Sequence, residues 1–254
     1  VRASAARRGG GRLTADALFD FDQDHYGGVA AVDRLARLAG VRGGSRVLDV
    51  CAGLGGPARF LASRYGCRVV GLELHAGRTA AAARLTRDVG LAAQVAVVRG
   101  DAVVLPFRGS AFDVCVSQEG LLHIADKAAV LRECRRVLVA GGRLAFTDWV
   151  ARARLADAER DRLQRWMAAT TLQSLDSYRT LLGRAGFGSV EAEDISNDWG
   201  PVLRARLDRH RGGRGDVVTR FGASWADDYD RLFAFFVGLV EAGKLGGGRF
   251  SGTA

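Results

Sequence analysis

A chain of 254 residues with 48% hydrophobic content can bury the core of one large domain, and it holds no run of eighteen or more uninterrupted apolar residues that would span a membrane. Its four cysteines, Cys51, Cys67, Cys115 and Cys134, lie far apart without metal-type spacing, which reads as reduced thiols and excludes a zinc site or a disulfide framework. The net charge of +9 raises nucleic acid as a partner, but all basic residues except Lys127 and Lys244 are scattered arginines; the densest run, Arg204, Arg206, Arg209, Arg211 and Arg214, lacks interleaved aromatics and reads as a solvated helix face.

The chain begins at Val1 and carries no acidic residue until Asp16, so residues 1 to about 15 are expected to be a disordered stub. If the stub is the remnant of a transit peptide, the compartment is an organelle such as a plastid; otherwise it is the cytoplasm. Residues 16 to 44 read as an N-terminal lid and helix, the helix at about 29 to 40. Strand-like runs at 46 to 51, 68 to 73, 94 to 99, 113 to 117 and 143 to 148 then alternate with helical patterns at 57 to 65, 77 to 89 and 127 to 138. That alternation predicts a Rossmann-like core over 45 to 150 with a mostly parallel sheet, ligands binding at the carboxyl ends of the strands. Residues 151 to 254 read as helical cap elements plus the last two strands of the same domain. The helices fall at about 155 to 170, 175 to 185 and 199 to 242, the sixth strand at 189 to 195, and a short final strand follows Gly246. Trp225, Tyr229, Leu232, Phe233, Phe236 and Leu239 recur at helical spacing and mark a packed face.

The most informative stretch is Val47-Leu48-Asp49-Val50-Cys51-Ala52-Gly53-Leu54-Gly55-Gly56-Pro57, a buried strand leading through a glycine turn into a helix. The glycines let the backbone approach a ligand, and Pro57 suits the first turn of the helix. Gly53, Gly55 and Ala58 also satisfy the loose dinucleotide fingerprint, so the turn by itself admits NAD as well as S-adenosylmethionine. Glu73 ends the second strand twenty residues after Gly53, where a carboxylate accepts hydrogen bonds from both ribose hydroxyls. Asp101 ends the third strand, placed for an adenine amino group. Asp49, immediately before the turn, repels a pyrophosphate and attracts an ammonium. Three acids at successive strand ends favour S-adenosylmethionine over NAD.

Leu48-Asp49-x-x-x-Gly53-x-Gly55-Gly56, Glu73, Gly100-Asp101-Ala102, Leu105-Pro106-Phe107, Phe112-Asp113 and Leu138-x-x-Gly141-Gly142 follow the order of the class I S-adenosylmethionine-dependent methyltransferases, which the chain resembles from about residue 20 to 254. The resemblance implies an α/β fold with a seven-stranded, mostly parallel sheet whose last strand is antiparallel. It also implies a small-molecule methyl acceptor, no nucleic acid, no membrane and no metal, in a monomer or homodimer, with S-adenosylhomocysteine as product. Cys51 stands where the family's first turn glycine falls, which should tighten the turn.

A narrower resemblance lies in Ser117-Gln118-Glu119-Gly120-Leu121-Leu122-His123-Ile124 and in Val190-Glu191-Ala192-Glu193-Asp194-Ile195-Ser196, which look like the N-methyltransferases of phosphoethanolamine and of glycine, sarcosine and dimethylglycine. It implies that Tyr26, in His25-Tyr26-Gly27-Gly28, and His123 are catalytic and form a latch over the cofactor, while His25 is structural or exposed. The implied cofactor set is Tyr26, Asp49, Gly53, Gly55, Glu73, Leu74, Asp101, Ala102, Gln118 and Glu119, the last in place of the family's usual aspartate. Acceptor-pocket tyrosines of the phosphobase enzymes are replaced by Thr170 and Asp198, which argues against phosphoethanolamine itself.

Methyl transfer is an in-line displacement, so the protein's work is desolvation and alignment, and His123 suits a base for an amine proton. Trp149, Trp166 and Trp199 offer aromatic faces either to a methylated ammonium or to the core. An amine acceptor is the leading expectation, with an oxygen or carbon of a small natural product or lipid-type acceptor as the alternative. RNA methylation and an NAD-dependent dehydrogenase remain as other classes. Ser117-Gln118-Glu119-Gly120 lacks the Asn/Asp-Pro-Pro-aromatic sequence of RNA adenine methylation, and Cys115 lies within a strand rather than in a nucleophile loop.

Overall fold

The structure, a computed structural model, describes residues 13–254. Residues 1 to 12 of the expected stub lie outside the described residues, and chain order starts with α1 (Ala15–Phe19), capped by Thr14 Oγ1 accepting from the Ala17 amide at 3.2 Å. Helix α2 (Gly28–Leu38) follows the lid turn and leads into β1 (Arg46–Val50). The core continues through α3 (Gly56–Tyr65), β2 (Arg68–Glu73), α4 (Ala76–Asp88), β3 (Val95–Arg99), β4 (Phe112–Gln118), α5 (Lys127–Val137) and β5 (Leu138–Ala151). These five strands are parallel, and the order of the complete sheet reverses between β1 and β4, the switch point at which open α/β sheets bind ligands.

Strand β1 shows how the sequence pattern becomes two layers. Val47 faces Val32, Leu35 and Leu61 of α2 and α3, while Leu48 and Val50 face Leu131 and Cys134 of α5 on the other side. Period-two alternation in a strand buried on both faces leaves no polar face, so the exposed Arg46 opens the strand and the one buried charged residue, Asp49, sits near the carboxyl end beside the turn.

Beyond β5 come α6 (Asp157–Met167), α7 (Leu175–Arg184), β6 (Gly188–Asp194), α8 (Ser196–Gly212), α9 (Arg214–Phe221), α10 (Ala223–Glu241) and β7 (Leu245–Thr253). The final strand is nine residues long, longer than its glycine-rich start suggested, because it inserts between β5 and β6 and pairs antiparallel with both. The expected helix over 199 to 242 is three helices, broken at Gly213 and at Gly222, whose φ of 88° and ψ of 160° only glycine adopts readily.

A third core joins the cap to the sheet: Trp149 of β5, Leu163, Trp199, Leu203, Phe233 and Phe236 enclose Tyr26 from the lid. The sheet accepts this layer because β7 opens with three glycines. A Cβ on Gly247 would lie 2.5 Å from Trp199 Cδ2, so the indole rests directly on strand backbone. Among the described residues, no helix is long and apolar enough to cross a membrane. The basic run on α8 and at the start of α9 is largely neutralised in place: Arg204 pairs with Glu241, Arg211 with Asp230 at 2.6 Å and Arg214 with Asp227 at 2.6 Å, while Arg206 lies over the Tyr26 ring at 4.9 Å.

Candidate active site

The carboxyl ends of β1, β2, β3 and β4 surround a cavity of about 700 Å³, within the range of small-molecule and cofactor sites. Its wall is formed by the strand-end segments that the sequence singles out: Asp49, Gly53, Glu73, Leu74, Asp101, Ala102, Gln118, Glu119 and His123 all line it. Gly55 lies one step back, where a Cβ would come within 3.0 Å of Arg59 Nη1.

The turn is built on left-handed backbone. Cys51, Gly53 and Gly55 have φ of 64°, 56° and 76°, so the cysteine occupies a conformation that costs an L-residue about 1–2 kcal/mol. Gly120 makes room for it, since a Cβ there would lie 2.5 Å from Cys51 Cβ. Glu73 secures the far side of the turn: its carboxylate accepts from the Gly53 amide at 3.0 Å and the His75 amide at 2.8 Å, which fixes both oxygens at the cavity wall. Leu74, 62% exposed, offers an apolar face beside it, and Asp101 accepts from the Val103 amide at 3.0 Å.

Two polar atoms on this wall, Asp49 Oδ2 and Gln118 Nε2, are buried and have no hydrogen-bond partner among the described residues. Burial, with Glu73 nearby, pushes the Asp49 carboxyl up to about 7. The Ala58 amide bonds this carboxyl, but an acid with one buried oxygen left open is costly in a closed core and is relieved by a bound cation, such as the ammonium of a methionine moiety. The orphaned atoms, the glycine turn and the exposed Leu74 together fit an adenosyl-amino-acid cofactor.

The lid crosses the opening and is pinned at both ends. Asp22 forms a fully buried ion pair with Arg59 of α3 at 2.7 Å, and the guanidinium also donates to Leu54 O at 2.7 Å and Thr86 Oγ1 at 3.1 Å. At the other end, the Tyr26 amide donates to Glu119 Oε2 at 2.8 Å, and Thr147 Oγ1 donates to Glu119 Oε1 at 2.6 Å. Burial pushes Glu119 up to about 7. The extra methylene relative to an aspartate lets this side chain reach both partners, so the shifted contact expected at Glu119 is a lid anchor. His25 is buried, not exposed: it lines the cavity, Nε2 lies 2.8 Å from Gln23 Oε1, and desolvation pushes its pKa down to about 4.

The structure does not bring Tyr26 and His123 together on the cavity wall. His123 lines it, on a short 3-10 turn (Leu121–His123) after β4, whereas the Tyr26 ring is enclosed by Trp149 at 5.4 Å, Trp199 at 5.0 Å and Arg206. The Tyr26 amide is held on Glu119 while its ring packs in the cap's aromatic core. Trp149 and Trp199 are likewise core residues, and Trp166 lies on the surface against Phe235 with Arg162 5.1 Å above it. Asp22, Arg59, Asp24, Arg78 and Thr147 are site residues that motif reading missed. Only Arg59 left a signal, a charge in a helix whose neighbouring positions are apolar.

Residues 48–146 match the family described as "Methyltransferase domain". Over longer stretches, the chain is 32% identical to methyltransferase GfsG of Streptomyces halstedii, covering 85% of this chain and 80% of that protein. It is 33% identical to 27-O-demethylrifamycin SV methyltransferase of Amycolatopsis mediterranei, covering 76% and 72%. It is 37% identical to glycine/sarcosine/dimethylglycine N-methyltransferase of Actinopolyspora halophila over 69% of this chain, which spans only 31% of that relative. Haemonchus contortus phosphoethanolamine N-methyltransferase 2, solved with phosphomonomethylethanolamine and S-adenosylhomocysteine, superposes with a TM-score of 0.83 at 21% identity, over 89% of this chain and 53% of that one. A carboxylate-lined glycine turn at the sheet's switch point, and relatives matched across most of their length, converge: the chain belongs to the class I S-adenosylmethionine-dependent methyltransferases that act on small molecules.

Proposed function

We propose that this enzyme methylates a proton-bearing heteroatom of its acceptor, an amine nitrogen before any other, with His123 as the base. The observation that carries the reading is the contact between His123 Nδ1 and the Ala168 carbonyl, 3.3 Å away. A carbonyl only accepts, so Nδ1 carries the hydrogen and Nε2 keeps its lone pair for a proton from the acceptor. Partial desolvation at the cavity wall, with the ring still open to solvent, holds the imidazole below its usual 6.5, so the ring is neutral and competent at pH 7.

The charge of the cavity supports an amine. Glu73 and Asp101 line it, joined by Asp49 and Glu119 as these ionise near pH 7, while Asp22 and Asp24 are paired with Arg59 and Arg78, an acidic lining that favours an amine over an anionic acceptor. S-adenosylmethionine, when bound, supplies the electrophilic methyl on its sulfonium sulfur. The chain's own contribution is to hold the acceptor in line, exclude water with the lid, and remove the proton at His123 Nε2. Tyr26 serves this reading as the lid residue that closes the cap side.

An acceptor screen with methyl-labelled S-adenosylmethionine tests it, spanning glycine derivatives, phosphoethanolamine, phenols and macrocyclic alcohols. Label in an amine product is the expected result, and His123→Ala should then lower kcat about 100-fold without changing affinity for S-adenosylhomocysteine. Label found only on carbon, or an unchanged rate in His123→Ala, overturns the proposal. A hydroxyl acceptor is the second reading, favoured by the Amycolatopsis relative, whose name specifies an oxygen and 72% of whose length is matched.

A further inference from the structure

The turn that carries His123 is bound to the cap at more points than a three-residue helix needs. Its Leu122 carbonyl accepts from the Thr170 amide at 3.1 Å and from Thr170 Oγ1 at 3.2 Å. The Leu122 amide donates to Asp148 Oδ1 at 3.2 Å, and the same buried carboxylate receives the Tyr178 hydroxyl. Between the two segments sits Lys127, whose ammonium donates to Ile124 O at 2.9 Å, Thr171 O at 2.8 Å and Thr171 Oγ1 at 2.7 Å.

Lys127 is unfavourably placed on two counts. It is 2% exposed, its hydrogen bonds all go to neutral oxygens with the buried Asp148 carboxyl as a nearby countercharge, and it opens α5, where the helix dipole repels a cation. A buried cation in such a position persists only where its donors organise something, and here they tie the residue after His123 to the segment that also contributes Ala168 O. Ala168 itself sits in left-handed backbone at φ 49°, so its carbonyl is aimed by the loop's fixed ends.

We infer that Lys127 is a positioning residue for methyl transfer: it fastens the loop after α6 to the His123 turn, keeps the Ala168 carbonyl on Nδ1, and thereby leaves Nε2 as the proton acceptor. The inference rests on the reading of His123 as the base. Lys127 does not line the cofactor cavity, so its effect is on the acceptor step and not on cofactor affinity.

The test is a double-mutant cycle with S-adenosylhomocysteine binding measured alongside. Lys127→Met should lower kcat at least about tenfold and shift the acidic limb of the kcat/KM pH profile, with Kd for S-adenosylhomocysteine kept within about twofold. In a His123→Ala background the same substitution should change kcat by less than about twofold, because the group it positions is gone. Equal losses in both backgrounds overturn the role of Lys127 while leaving the base assignment standing; an unchanged rate in His123→Ala alone sinks the base assignment instead. Nitrogen-15 shifts of His123 give a readout independent of turnover: the Nδ1–H tautomer in the unsubstituted protein and a mixture in Lys127→Met are expected, and an identical tautomer in both overturns the inference. If Lys127→Met does not fold, Thr171→Val and Thr170→Val, at exposed positions, remove one bond each; kcat unchanged in both overturns it.

Discussion

The cofactor half of the molecule draws its wall from successive strand ends, each delivering one residue at the point where its strand stops. The cap instead collects Tyr26, Trp149, Trp199 and Phe236 from four segments far apart in sequence and rests Trp199 on a glycine-planed strand. In the first region, polar atoms are left without partners and face a cavity; in the second, the polar Tyr26 is wrapped by aromatic rings and a guanidinium. The contrast separates two tasks. The cavity side is shaped by backbone geometry and carboxylates, the cap side by close packing of aromatic side chains.

Substitutions in the two halves should therefore fail differently. The largest effect is expected from Glu73→Ala, which frees the Gly53 and His75 amides and removes the ribose acceptor. Calorimetry should show at least about a 100-fold loss of S-adenosylhomocysteine affinity, from charge-assisted hydrogen bonds worth about 1.5–3 kcal/mol each. Gly247→Ala should reverse the pattern: its new Cβ displaces Trp199, so turnover falls about tenfold or more at saturating cofactor while cofactor affinity stays within about threefold. Loss of both in either variant would dissolve the comparison.

Asp49→Asn sharpens it through pH. The folded-state pKa of about 7 lies above the ordinary 3.8, so the fold favours the protonated acid, and the stability this contributes at low pH is lost as pH rises through 7. At pH 8 the cofactor-free Asp49→Asn protein should melt about 2–4 °C higher than its parent, a gain near 1 kcal/mol at this chain length. S-adenosylhomocysteine affinity should rise with pH between about 6 and 8 in the parent and be weak and flat in the variant. A variant no more stable at pH 8 would show that the unpaired carboxylate is not a stored cost. The smallest effect is expected from Cys51→Gly, which relieves left-handed strain and gains under about 1 kcal/mol in thermal melts, the unfolded-state entropy of glycine offsetting part of it.

The same contrast governs what the sequence made legible. Apart from β5, which starts at Leu138 and not at 143, strands and helices of residues 45 to 150 were readable to within a few residues because hydrophobic period and glycine turns are local signals, and strand-end acids inherit their placement from them. Cys51 shows the same: the expectation of a tight turn becomes a φ of 64° with Gly120 cleared for its side chain. The cap was legible as helices but not as contacts. Nothing local announces that Lys127 faces Thr171, or that the Tyr26 ring turns toward Trp149 and Trp199; those depend on which distant segments meet. The packing of the Tyr26 ring in the cap was likewise out of reach of local signals.

The glycines at 246 to 248 make β7 a hinge between causes and symptoms. Because the indole of Trp199 lies on main chain and not on a neighbouring side chain, its seat is inherited from strand atoms that no substitution can remove, only obstruct. The aromatic layer of the cap thus rests on a floor set by main chain, and an obstruction at Gly247 is expected to disturb the cap while the cofactor side of the sheet stays intact.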